Sequence, residues 1–201
     1  QALARLAEPL AGLAFALDDR NSLAALLAPA FTPAAGGFKA EQFNFAARFM
    51  ETLAWQKTTL ASLGDGRDAL STLLRKATVD GSDSLFANAR KFAADDARAV
   101  DDRTAAIALL ARDEARRADA LMIFSGLLTP RAAGELQRAA ITGLSATGDS
   151  SVPHKLLTAW SSFSPETRGV ALDALLSREH WAFALLEHTR NGGAVALDVT
   201  Q

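Results

Sequence analysis

The chain has 201 residues, 49% of them hydrophobic, which is ample for a buried core and argues against disorder. Its 21 basic and 23 acidic side chains leave a formal charge of −2, which gives no electrostatic reason to bind nucleic acid or an anionic membrane, although a local patch is not excluded. Cysteine is absent, which excludes disulfides, thiolate zinc sites, covalent c-type haem attachment and cysteine nucleophiles within the chain; alanine and leucine dominate and tyrosine is missing, so helix is expected and almost no strand.

The sequence opens on Gln1 rather than methionine and runs straight into an apolar-periodic segment, as expected of a processed product or an excised part of something longer. It shows no basic leader with a cleavage pattern, and the uncharged run from Asn21 to Phe38 is broken by Pro29, Pro33, Gly36 and Gly37. Neither a signal peptide nor a membrane span is therefore expected. Leu3, Leu6, Leu10 and Leu13, three and four apart, predict a first helix ending near Asp18-Asp19-Arg20. A shorter helix follows from Ser22 to Leu27, and Pro29, Pro33 and Gly36-Gly37 then predict the clearest loop in the chain. Phe43, Ala46, Ala47, Met50, Leu53 and Ala54 predict the longest helix, from Ala40 to about Ser62, with Trp55 in its second half and Gly64-Asp65-Gly66 stopping it.

A repeat begins there. It reads as an acid two residues before a basic or polar anchor, with apolar positions three, six and seven residues after the anchor. The copies are Asp65, Arg67, Leu70, Leu73, Leu74; then Asp101, Arg103, Ala106, Leu109, Leu110; then a weaker Glu135, Gln137, Ala140, Gly143, Leu144, with Arg138 one place late; then Glu166, Arg168, Ala171, Ala174, Leu175. Anchors recur every 31 to 36 residues, in the range of helix-pair solenoids, and each gap holds a second apolar segment, Leu85 to Phe92, Leu121 to Leu128 and Leu156 to Phe163. In the fourth copy Ser164 is placed to cap the helix and Pro165 fits its first position, where no donor is needed. Trp181, Ala184, Leu185 and His188 predict the first helix of a further unit, ended by Asn191-Gly192-Gly193 as a left-handed cap. The acid falls in the first helical turn, which the helix dipole favours, and the following Arg is within reach of an acid in the adjacent repeat. A structural charge ladder is the reading; a ligand-binding row of Arg is the alternative.

His154, His180 and His188 are the only histidines, and the eight-residue spacing of the last two does not converge on one metal as three- or four-residue spacing would. The pairs Asp95-Asp96 and Asp101-Asp102 flank a helix junction and read as solvated helix ends. Gly36-Gly37 and Gly192-Gly193 lack the lysine and hydroxyl of a phosphate loop and read as turns. Trp55, Trp160 and Trp181 sit inside helical apolar stripes, where packing is preferred to an aromatic platform. Arg112, Arg116 and Arg117 form a basic cluster that Asp113, Glu114 and Asp119 neutralise, so nucleic acid is not the expected partner. No catalytic, cofactor-binding or metal-ligating residue is assigned, and no cofactor is expected in this chain.

Leu127-Leu128-Thr129-Pro130, Glu135-Leu136-Gln137-Arg138-Ala139-Ala140, the run from Ser164 to Arg178, and Trp181-Ala182-Phe183-Ala184-Leu185-Leu186-Glu187 together resemble, in order and spacing, the HEAT-like helical region of large bacterial multidomain proteins of the membrane-bound-dehydrogenase-like, haem-binding-domain type. Residues before about Arg67 match only in helical character. The resemblance implies a β-propeller before the helical region and a c-type cytochrome-like domain after it, both outside this chain. It also implies a spacer or docking role and a periplasmic or otherwise exported location.

The expectation is thus an all-α fold, a right-handed HEAT-like α-solenoid of stacked antiparallel helix pairs. Residues 1–63 would form an irregular N-terminal helical part, 64–190 the repeats and 191–201 a linker. The expected function is a non-catalytic scaffold or protein-interaction and spacer segment of a larger exported redox protein, whose partners are proteins or flanking domains. An independent helical-repeat module binding a peptide or nucleic acid is the alternative, and an enzyme with a site assembled across repeats is a third.

Overall fold

Local hydrogen bonding sets several helix starts in the computed structural model of the chain, which describes residue 9 and residues 20–79, 81 and 83–192. The first leucine-rich helix expected from the sequence, apart from Pro9, and most of the C-terminal linker lie outside the described residues. Eleven helices are described: α1 (Arg20–Phe31), α2 (Ala40–Trp55), α3 (Leu60–Leu63), α4 (Ala69–Thr78), α5 (Leu85–Ala94), α6 (Val100–Leu110), α7 (Arg117–Gly126), α8 (Gly134–Thr147), α9 (Val152–Thr158), α10 (Pro165–Leu176) and α11 (Glu179–Arg190). Among the described residues there is no strand. The side chains of Asp68, Ser84 and Ser164 accept the amide hydrogens of Ser71, Ala87 and Thr167 at the starts of α4, α5 and α10. Gly148 and Gly192, with φ of 66° and 73°, close α8 and α11 in the left-handed conformation that glycine adopts without a Cβ penalty.

The fold departs from the sequence reading in its first part. α1 runs through Pro29 instead of ending before it. Burial of Ala30 and Phe31, with the Phe31 ring edge-on to Phe45 and Phe49 at 6.3 and 6.0 Å, offsets the interior-proline penalty of about 3 kcal/mol. Gln42 then donates to the Pro29 and Thr32 carbonyls at 2.8 and 2.7 Å, satisfying acceptors at the end of the helix. α2 is the longest described helix, as expected, but stops at Trp55 rather than near Ser62, because Lys57 takes φ of 55° and Thr59 caps a separate turn, α3. It also buries more than one stripe, since Phe45 and Phe49 are covered as fully as Phe43 and Leu53.

The chain divides into two compact units, one up to Asp113 and one from Glu114. In the first, α1 packs on α4 and α2, α2 on α6, and α5 on α6, with Phe43 edge-on to Phe92 at 4.9 Å. In the second, α7 packs on α8, α8 on α10, α9 on α11 and α10 on α11. The pairs α5–α6 and α7–α8 follow the expected order, with the anchor-bearing helix second. The apolar positions of the last three copies, Ala106, Leu109, Leu110, Ala140, Leu144, Ala171, Ala174 and Leu175, are all buried. The first copy fits less well. Asp65 and Arg67 precede α4, whose capping acid is Asp68, because Asp68 is the residue placed to accept the Ser71 amide and the Arg20 guanidinium together.

Candidate functional site

The anchors read from the sequence as a structural charge ladder, with a ligand-binding row of Arg as the alternative. Arg103, in the first turn of α6, is buried and donates through Nε to the Ala93 carbonyl at 3.2 Å, while its Nη1 lies 2.8 Å from an Asp96 carboxylate that is almost fully exposed. Gln137 occupies the equivalent place in α8, also buried, and its amide donates to the Thr129 and Ser162 carbonyls at 2.7 and 3.3 Å. Both therefore tie down main-chain acceptors at the end of a preceding helix or in a loop. Leaving such a carbonyl buried without a partner costs about 1–3 kcal/mol, so the geometry favours retention of a donor there. Arg168 is half-buried, 5.9 Å from the Trp160 ring, and Arg67 is exposed.

Among the described residues, the expected ladder between repeats has a rung of the predicted kind. Arg138, one place after Gln137, lies 3.2 Å from Glu166, the acid of the next copy. Arg103 instead takes an acid from the loop before its own helix, because its guanidinium is held at the end of α5 by the Ala93 bond. Both acids are largely exposed, and pairs of that kind contribute about 0–1 kcal/mol, so packing carries these helices.

The other titratable groups are dispersed. His154 and His180 are exposed on α9 and α11, and His188 is half-buried with its Nε2 covered and unbonded. Among the described residues no group of three or more histidines and acids is placed to hold a metal ion. Asp95 accepts the Ala97 amide at 3.0 Å and pairs with Arg98, whose guanidinium stacks 3.4 Å above Phe92; Asp101 and Asp102 sit in the first turn of α6. Two members of the basic cluster pair with acids, Arg112 with Glu51 at 3.3 Å and Arg116 with Asp119 at 3.5 Å, while Asp113 lies buried 2.9 Å from Arg90, outside the cluster. The Arg20 guanidinium and the Ser71 amide and hydroxyl hold the Asp68 carboxyl well below the usual carboxylate range. Ser151 lowers Asp149 in the same way, by donating from hydroxyl and amide.

The tryptophans separate. Trp160 and Trp181 are buried, as packing requires, but Trp55 is 82% exposed. It lies two residues after the buried Leu53, a step of about 200° around the helix, and so faces away from the core. An open groove of about 510 Å³ beside α3 and α4 is lined by Leu60, Ala61, Val79 and Arg75, whose Nη1 already donates to the Gly66 carbonyl at 2.8 Å.

The feature that sequence reasoning missed is on α11. Its buried side carries Trp181 and Leu185, the expected stripe, while the opposite side presents Phe183 and Leu186, 58% and 63% exposed. Leu176, at the end of α10, is also exposed. Counting by three and four from Glu179 would have found this second stripe, but nothing in the sequence alone says which of two apolar stripes the fold covers.

The described residues define an all-α protein assembled from packed helix pairs. None of its helices, among those residues, is long and apolar enough to cross a membrane. The chain matches no protein-family profile, no curated protein and no solved structure.

Proposed function

We propose that this chain is a non-catalytic helical-repeat scaffold, in which HEAT-like pairs stack as an α-solenoid and hold or space protein partners or flanking domains. The observation that carries the reading is the alternating contact in the second unit, α8 on α10 and α9 on α11, which is how successive helix pairs share one continuous core. The use of the anchors supports it: Arg103 and Gln137 are bonded to main-chain carbonyls rather than turned to a ligand. The resemblance of the C-terminal half adds the context proposed here, a spacer within a larger exported redox protein that carries haem outside this segment.

Two measurements test the two halves of the proposal. Small-angle scattering of the monomeric chain should give a radius of gyration well above the roughly 16–17 Å of a globule of this length, and a value at that figure refutes the solenoid. An antibody against residues 20–192, used on denaturing gels of the native source beside a haem stain, should mark a larger polypeptide that carries covalent haem. A reactive band without haem refutes the redox context while leaving the scaffold to the scattering result.

A further inference from the structure

The exposed side of α11 reads, in sequence order, as Glu179, Phe183, Leu186 and Arg190, all exposed. Their steps of four, three and four residues make one straight seam, as in an antiparallel or parallel coiled-coil contact. The buried seam of Trp181, Leu185 and the half-buried His188 lies on the other side, so α9 and α10 leave the outer one uncovered. Among the described residues neither Glu179 nor Arg190 enters an ion pair.

This seam is self-complementary. Phe183 and Leu186 lie equally far on either side of the midpoint between Ala184 and Leu185, and so do Glu179 and Arg190. A two-fold axis through that midpoint, perpendicular to the helix, therefore sets Phe183 of one chain on Leu186 of its partner and, in the same register, Glu179 of one chain against Arg190 of the other. An isologous contact requires such a pattern, because each residue must meet its complement twice. A register slip would lose both apolar and charge matches together.

We propose that α11 is a homodimerisation helix, packing antiparallel against α11 of a second copy of this chain through the Glu179–Phe183–Leu186–Arg190 seam. One helix face buries less than the area of a standard stable interface, so the dimer is concentration-dependent rather than obligate. This does not rest on the redox context proposed above.

Sedimentation velocity on the full chain, from low micromolar to millimolar concentration, is the test. The expected result is a weight-average mass rising from monomer towards dimer. Leu186→Glu should abolish the rise. Glu179→Arg should weaken association by about tenfold, since two attractive pairs become two repulsive ones, and adding Arg190→Glu should restore it. All three positions are exposed, and far-UV circular dichroism checks that helicity is unchanged. A chain that stays monomeric to millimolar concentration, with the seam covered in some other way or left bare, overturns the proposal. So does a dimer indifferent to Leu186→Glu, or one that the charge exchange fails to restore.

Discussion

Two glycines in the second unit give the sharpest test of its packing. Gly143 lies inside α8 and Gly169 inside α10, and alanine at either position gains about 0.8–1.0 kcal/mol of helix propensity. Their surroundings differ. A Cβ at Gly169 meets nothing within 4 Å, whereas one at Gly143 would lie 2.9, 3.1 and 3.2 Å from Cε2, Cζ and Cδ2 of Phe124. Phe124 is fully buried, so its ring has no open space to retreat into. Overpacking of that kind costs about 1–3 kcal/mol, so Gly143→Ala should be destabilising by about 0–2 kcal/mol net of the propensity gain. Gly169→Ala should instead stabilise by about 0.8–1.0 kcal/mol, or roughly 2–4 °C in Tm. Urea unfolding read by tryptophan fluorescence suits the comparison, because Trp160 and Trp181 are buried in the same unit as both substitutions. Adding Phe124→Leu to Gly143→Ala should show non-additivity of about 0.5–3 kcal/mol. If Gly143→Ala proves as stabilising as Gly169→Ala, the α7–α8 contact is not the one described.

Gln137→Ala removes the donor to the Thr129 and Ser162 carbonyls and should cost about 1–3 kcal/mol in the same urea assay, whereas Gln137→Glu, which lacks the amide hydrogens, should be no better. Trp55→Ala should change stability by less than about 0.5 kcal/mol, because the side chain is exposed; a larger loss would mean that it packs. For Asp68 the folded-state pKa is lowered, so its contribution is fully present above the ordinary carboxylate range and is lost as pH falls through the lowered value. Asp68→Asn should therefore lower Tm at neutral pH and narrow the gap to the parent chain on acidification below about pH 4, and a gap that widens with acid refutes the Arg20–Asp68 pairing.

The weak third repeat copy, with Gly143 where the others carry leucine or alanine, is explained by the same contact: the Phe124 ring occupies the space of the missing side chain. Such substitutions are unreadable from the copy itself, because Phe124 is on another helix. The acid-and-anchor pattern located the starts of α6, α8 and α10, yet it did not reveal that Arg103 and Gln137 turn to main-chain carbonyls. The exposed seam of α11 was likewise present in the spacing but indistinguishable from the buried one.

The amino-acid sequence by itself determined the helical class, the cap of α10 at Ser164, the left-handed close at Gly192, and the apolar positions of the last three copies. Those depend on backbone preference, hydrogen bonds within a few residues and the 3.6-residue period, all of which are local. Tertiary structure alone decided that α1 continues through Pro29, that Trp55 faces outward, and that Arg20 closes on the Asp68 cap of α4. Each of those outcomes depends on groups brought from elsewhere, Phe45 and Phe49 against Phe31, the core under Leu53, and Arg20 against Asp68. A helix's own period cannot specify which neighbours will cover it.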